Sequence, residues 1–461
     1  MSMMDETRKT VRVRVSDSYD VIVAGGGPAG CAAAVAAARE GARTLLLEDT
    51  GALGGMGTAG LVPWFAGYQD GEKIIARGLA EHVRCALRDQ MPHLQQVMEE
   101  RPLAAPAIDP ELLKGIYDEM VVGAGAKVLF HSRVCAVEGS ESGRQEAVIV
   151  ANKSGLLAFR AKVFIDGTGD GDLAAWAGAE FEKGDANGAM QPATHCFMLG
   201  NIDEERLAEG PRLHWYDPDS PIWKIARSDE YPLIDHLHAC SMKIAPHTFG
   251  FNTGHLYDVD NTDPDSVTRA LLKGRQMARQ YRDALAEHHP AFREAFLAAT
   301  GSLMGIRETR RVLGDYVLTV EDYLARRSFP DEICRNAYGV DVHAPLSPEQ
   351  RRQLLSMSIE ELKERNRKIT QPLQPGESFG VPYRSLVPRG LENVLVAGRC
   401  LSADRGANGS TRIMACCLNT GEAAGIAAAM AAVGTGDVRG VDTDRLRETL
   451  KNYGAYLPDV A

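Results

Sequence analysis

Three glycines, Gly25, Gly27 and Gly30, stand in GxGxxG spacing, and an acidic pair, Glu48 and Asp49, follows. The first acid comes about 20 residues after the first glycine, the separation a ribose-binding acid needs. An apolar run at 19–24 precedes the glycines, and an alanine-rich helix opens at Pro28 and Ala29. The chemistry this pattern can do is pyrophosphate binding. Gly25 makes the tight turn, Gly27 lets phosphate approach the backbone, and Gly30 lets helix and strand pack closely. Free amides at the helix start, with the positive end of the helix dipole, hold the phosphate charge. Glu48 can accept hydrogen bonds from an adenosine ribose.

A second glycine cluster, GALGGMGTAG at 51–60, contains Gly54, Gly55 and Met56. A nicotinamide coenzyme has no general need for it. A flavin lies extended, and glycines let backbone amides approach its ribityl chain and ring. The pattern therefore favours FAD over NAD. FIDGTGDG at 164–171 lacks the third glycine and the acid spacing, so no separate NAD(P)H domain is expected. Near the far end, a buried strand at 393–397 ends at Gly398 and Arg399, and a small-residue helix is expected over 411–433. A helix start near Gly421, aimed at the flavin, would stabilise negative charge on the reduced ring.

Flavin chemistry asks the protein for a clamp, a base and charge control. On a strand, Arg307, Thr309 and Arg311 would share one face, and Glu308 and Arg310 the other. Such a face can clamp a carboxylate; the same residues can equally form an internal Arg–Glu network. His195, His247 and His255 are candidate bases by their titration range, and each also fits a structural histidine. Tyr383 and Arg384 precede the last strand and either face the ring or shape a proline turn. His236, His238 and Cys240 alternate, but no fourth ligand is in sight and no metal is assigned.

Stepping out to the elements, 19–48 reads as a βαβ unit. Amphipathic helices are expected at 74–90 and 109–122, and strands at 127–131 and 147–151 with a polar hairpin at 141–144. Residues 192–260 read as a separate sheet, 267–300 as helix, 313–320 as strand, and 371–388 as a proline- and glycine-rich turn region. The expected architecture is α/β: a discontinuous Rossmann-like FAD-binding domain, 19–190 and 375–440, with an inserted α+β substrate domain with a helical part, 191–374. Residues 1–18 and 441–461 read as terminal extensions.

The chain has 461 residues and a net charge of −11, which disfavours nucleic acid as a partner. The longest apolar runs, 29–38 and 423–433, fall short of the ~20 residues of a membrane span. The N-terminus lacks the apolar stretch of a secretory signal. Nine cysteines, an odd and scattered set, point to a reducing compartment. A cytoplasmic protein is expected, with a small-molecule substrate, an electron acceptor the sequence does not name, and room for a homo-oligomer.

The stretches DVIVAGGGPAGCAAAVAAAREGA, LGGMGTAGLV, FIDGTGDGDLAAWAGAEF, MGIRETRRVLGDYVLT, PYRSLVP and NVLVAGRCLSADRGANGSTRIMACCLNTGEAAG carry a family resemblance. From about 19 to 433 the chain resembles the FAD-dependent oxidoreductases related in fold to the fumarate reductase and succinate dehydrogenase flavoproteins. The resemblance implies noncovalent FAD. Gly25, Gly27, Gly30 and Glu48 would hold the ADP half, and Gly54, Gly55 and Met56 would line the flavin. Asp166, Gly167, Thr168 and Gly169, with Val134, would complete the adenine side. Gly398, Arg399, Asp404, Arg412 and Gly421 would lie near ribityl and ring. The sequence departs from the family at ADRGANG, where a histidine is common, and it has no tethering histidine in 54–60. The implied activity is two-electron hydride transfer between a small organic substrate and flavin N5. The alternatives are a flavin-binding electron-transfer subunit and a non-redox FAD-dependent isomerase or transferase.

Overall fold

The structure, a computed structural model, describes residues 10–140 and 142–458. Half of the N-terminal extension, residues 1–9, and Glu141, the first residue of the expected hairpin, lie outside the described residues. The largest element is a seven-stranded sheet. Its parallel part runs in the spatial order Lys127–Leu129, Thr44–Leu47, Arg14–Ala24, Gly155–Asp166, Val394–Val396. These inner strands are near-continuous apolar runs because both faces are covered: the helices Pro28–Arg39 and Met414–Val433 pack on one, and Val134, Val148, Val150, Leu173 and Ala174 on the other. The strand Gly155–Asp166 carries two neighbours along one edge. Its C-terminal half pairs with Val394–Val396, and its N-terminal half pairs antiparallel with Gln145–Asn152, which pairs in turn with Arg133–Gly139.

The first strand begins at Arg14, not Tyr19, because the exposed stretch RVSDS still finds backbone partners on Gly155–Asp166. Helix Pro28–Arg39 leaves the strand Arg14–Ala24 and returns to Thr44–Leu47. Across it lies helix Met414–Val433. This helix has the length and composition to cross a bilayer, with a mean hydropathy of 1.3, and 89% of that window is buried inside the fold. The expectation from the 423–433 run undercounted it, since Asn419, Thr420 and Glu422 interrupt the apolar pattern and are themselves buried. Its start at Met414 also corrects the expected helix start near Gly421. Gly421 is mid-helix, where an added Cβ would stand 2.1 Å from the Ala29 carbonyl oxygen. The glycine is there to let the two helices touch, not to present an N-terminus.

A second, four-stranded antiparallel sheet runs Phe296–Thr300, Phe197–Gly200, Thr248–Phe251, Ser241–Ala245. Helix Pro264–His288 covers it, and its apolar residues form one cluster from Ala193 to Ile306. The expected helix 267–300 therefore splits: His289-Pro290 stops it, and Phe296–Thr300 becomes an edge strand. The strand expected at 313–320 is also displaced. Arg310–Val312 pairs with Phe181–Lys183, and the chain then turns at Gly314, packed against Ser402. Residues Leu318, Tyr323, Ile333 and Val340 pack into the large cluster around the helix Pro28–Arg39.

Candidate active site

The turn after the strand Arg14–Ala24 forms a cradle. Gly25 has φ +90°, the left-handed region that glycine alone enters without strain. A Cβ on Gly30 would stand 1.8 Å from the Gly25 carbonyl oxygen. A Cβ on Gly27 would meet nothing nearer than 4.0 Å, so this glycine borders open space. Cys31 is the first helical residue whose amide bonds back, to the Gly27 carbonyl at 2.9 Å, which leaves the amides of Ala29 and Gly30 for a phosphate. Glu48, buried, accepts from the amides of Gly26 and Thr50, both at 2.7 Å. Each carboxylate oxygen keeps a lone pair for a ribose hydroxyl.

The second glycine loop is fastened to the first. The Gly54 amide donates to the Gly26 carbonyl at 2.8 Å, and a Cβ on Gly55 would stand 3.0 Å from the Gly27 Cα. Met56 follows in the short helical turn Gly55–Gly57. Gly167 abuts Gly25 from the neighbouring strand, and Thr168 donates to Asp166. Burial raises the Asp166 carboxyl to about 6, against the hydrogen bonds from Ala174 and Thr168 that lower it. Arg399 clamps this turn, donating to the carbonyls of Gly169 (2.8 Å) and Ile306 (2.6 Å) and to Asp170 (2.7 Å). Gly398 packs on Ala29. These residues fit an extended dinucleotide: the open face of Gly27 would take the pyrophosphate and Glu48 a ribose. Asp49 lies further out, in a surface pair with Arg133 at 2.6 Å. Val134 is buried in the adjoining strand.

A cluster of buried polar side chains lies where the loop after Arg399 meets the second sheet. Arg412 donates to Asp341 (3.1 Å), and Asp341 accepts from His343 (3.0 Å). The His343 amide donates to the Gln191 side chain at 3.0 Å, and its ring lies 2.9 Å, nitrogen to nitrogen, from His255. The rings of His236 and His238 stand 4.1 and 4.9 Å from that of His255, and Tyr257 stands 5.9 Å from it. Arg307 enters from the other side, 6% exposed. Only its Nη1 is bound, to the carbonyl of Pro192 (2.6 Å) and the hydroxyl of Thr194 (3.0 Å). Its Nε–Nη2 edge meets no carboxylate among the described residues.

Electrostatics in this cluster are one-sided. Burial, then Arg412, brings the Arg307 guanidinium down to about 10, so it stays charged at neutral pH. Burial is the first cause holding His236 at about 3 and His238, His255 and His343 below the usual range, with Arg307 adding to each. Burial would raise Asp341, but the hydrogen bond from His343 and the charges of Arg412 and Arg307 outweigh it and keep the carboxyl ionised. Five buried polar atoms here have no hydrogen-bond partner: Gln191 Nε2, His238 Nε2, His255 Nδ1, Tyr257 Oη and Arg412 Nε. Buried polar atoms are rarely left so, and a group of them is satisfied by ordered water or by a small polar molecule.

Residues 20–450 match the family model described as FAD dependent oxidoreductase. The chain belongs to this family of flavoproteins. No curated protein matches it in sequence. Among solved structures, a geranylgeranyl bacteriochlorophyll reductase-like protein from Thermoplasma acidophilum aligns at 13% identity over 95% of this chain and 82% of its own, with a TM-score of 0.42. The p-nitrophenol 4-monooxygenase PnpA from Pseudomonas putida DLL-E4 aligns at 11% identity over 94% and 84%, also at 0.42. The anhydrotetracycline hydroxylase OxyS from Streptomyces rimosus aligns at 15% over 94% of this chain and 65% of its own, at 0.42. All three lie below a TM-score of 0.5, and the family rests on the sequence match.

Of the residues the sequence offers for chemistry in this flavoprotein, Arg307 and His255 lie in this cluster, while His195, His247, Arg310 and Tyr383 do not. His195 bonds to the Gly301 carbonyl at 2.7 Å and packs on the helix Pro264–His288 at Gly274. His247 turns the hairpin between Ser241–Ala245 and Thr248–Phe251 with φ +55°, its ring nitrogen 3.0 Å from the Ile202 carbonyl. Arg310 donates to Asp172 (2.6 Å) and the Asp170 carbonyl (3.1 Å). Tyr383 donates to the Val438 carbonyl at 2.7 Å, on the side of the C-terminal segment. Residues 307–309 do not form a strand, so the expected shared face does not exist: Thr309 donates to Asp170, while Arg311 and Arg405 both pair with the buried Glu308. The internal Arg–Glu network is thus real for Glu308 and Arg311. Asp404, which the resemblance placed near ribityl and ring, caps the helix Arg405–Thr411 and holds the Val320 amide. The sequence reading missed Asp341, His343, Gln191 and Tyr257. The only available signal was the Asp-x-His spacing at 341–343, which is common by chance.

Proposed function

We propose that this flavoprotein catalyses two-electron oxidation or reduction of a small organic acid bound at the cluster of Arg307, Arg412 and the histidines. Noncovalent FAD, held by the two glycine loops and the 398–399 turn, supplies the hydride acceptor or donor when bound. The carrying observation is the buried Arg307 edge, free beside a group of partnerless polar atoms. A planar guanidinium with Nε and Nη2 free is matched to a carboxylate. Neutral histidines add hydrogen-bonding capacity without adding charge. We place the substrate part of the chain in 191–374 and the FAD part in 19–190 and 375–440. A site this polar and buried supports a substrate-binding enzyme over a subunit that only relays electrons.

The test is anaerobic bleaching of the purified yellow holoprotein by hydroxy acids, amino acids and their neutral esters. Bleaching by an acid but not by its ester supports the reading. If dithionite bleaches the flavin and no carboxylate in the panel does, the reading fails.

A further inference from the structure

The cluster contains one chain of hydrogen bonds whose direction is set by chemistry. An ionised carboxylate only accepts. Asp341 Oδ1 lies 3.0 Å from Nε2 of His343, so that nitrogen carries a proton. Burial and Arg307 keep His343 neutral, which leaves its Nδ1 as a lone pair. That Nδ1 lies 2.9 Å from Nε2 of His255, which must therefore donate. His255 is neutral too, through burial and the neighbouring His236, His343, His238 and Arg307. Its remaining nitrogen, Nδ1, is then a lone pair, buried and without a partner. Each histidine is locked in one tautomer by the group behind it, and the series ends on an unused base.

We propose that Asp341, His343 and His255 form a proton relay, and that Nδ1 of His255 takes the O–H or N–H proton of the substrate. This rests on the flavin reading above and narrows it to acids carrying a hydroxyl or amine on the carbon that is oxidised. The carbon's hydrogen leaves with two electrons as hydride to FAD, and the heteroatom's proton passes to His255. A hydroxy acid becomes a keto acid, or an amino acid an imino acid; the imidazolium proton and the reduced flavin complete the balance. Asp341 and His343 are positioning residues: they hold the tautomer and stabilise the imidazolium. Besides the relay itself, His255 faces His236, His238 and Tyr257, with Arg307 nearby. Arg307 opposes that charge, and the bound carboxylate offsets it. The ring nitrogens of His238, His255 and His343 also lie within 4.8 Å of one another, a spacing open to a metal ion, which the test includes as a rival.

Nitrogen NMR of the FAD-loaded protein, with labelled histidine, reads the tautomers directly. The expected result is an unprotonated Nδ1 on His255 and an unprotonated Nδ1 on His343. In Asp341→Asn, Arg412 holds the remaining carbonyl oxygen, the amide faces His343, and the chain reverses, so the His255 Nδ1 signal moves to the protonated range. His255→Ala should bleach with an active acid at least ~100-fold more slowly, keep its visible flavin spectrum, and recover in part with added imidazole. The relay is overturned by a protonated Nδ1 in the parent protein, by an unmoved signal in Asp341→Asn, or by undiminished bleaching in His255→Ala. It is also overturned if the purified holoprotein carries an equivalent of divalent metal that His343→Ala loses. The nitrogen signals decide the relay whatever the acid panel shows, so its failure is separable from failure of the flavin reading.

Discussion

A buried guanidinium with an open edge makes a demand that a lysine cannot meet. Lysine offers a point charge, whereas the edge of Arg307 offers two parallel donors. Arg307→Lys should raise KM for the acid by roughly 10- to 100-fold, the loss expected for a charged hydrogen bond, while flavin absorbance stays unchanged. Steady-state kinetics beside a visible spectrum measure both. Glu422 makes a different demand. Burial pushes its carboxyl from 4.5 to about 7, although the Leu79 amide donates to it at 3.0 Å. The folded chain therefore binds a proton that the unfolded chain releases between those pH values. The stability this confers is complete below pH 4.5 and is lost as pH rises through 7. The loss should be on the order of 3 kcal/mol, and Glu422→Gln should flatten that part of the curve. Urea titrations of both proteins across the window give the answer; parallel curves would count against it.

At the scale of elements, the crossing of helices Pro28–Arg39 and Met414–Val433 ties the cradle to the rest of the fold. Gly421 and Gly425 meet the carbonyls of Ala29 and Ala33, with added Cβ atoms at 2.1 and 2.3 Å. Gly421→Val should cost more than about 2 kcal/mol by overpacking and should weaken flavin retention, because Ala29 belongs to the phosphate turn. Urea unfolding and flavin release on gel filtration are the measurements. Most of these elements were legible in the sequence where one rule dominated. The strand–turn–helix at 19–39 has a contiguous pattern, with Gly25 at its turn and Gly30 at its close helix contact. The errors fell where a local signal was overridden: Pro290 cut a helical period short, exposed Arg14–Ser18 still paired as strand, and Gly421 looked like a cap while serving a helix contact.

Over the whole molecule, the glycine cradle was readable and the polar cluster around Arg307 was not. The cradle is written in short motifs whose residues are neighbours in the chain. Gln191, His255, Arg307 and His343 come from four separate segments, and nothing in the sequence separates His255 from His195 or His247. What distinguishes them is who stands behind each ring. The same dispersion makes the Glu308 network matter, since Glu308 holds the Gln191 amide at 2.6 Å as well as Arg405 at 2.9 Å. Glu308→Ala should lower the thermal unfolding midpoint, because Arg311 and Arg405 keep only Glu182 and Asp185 as carboxylate partners and the buried Gln191 amide loses its acceptor.

The strand Val394–Val396 and the helix Met414–Val433 are the last large pieces of the flavin half to leave the ribosome. Until they arrive, the end of Gly155–Asp166 has a bare edge and the alanine face of Pro28–Arg39 has no cover. A nascent chain stalled before residue 394 would thus expose greasy surface and attract chaperones, and its glycine cradle would lack Gly398 and Arg399, which close it at Ala29 and Gly169.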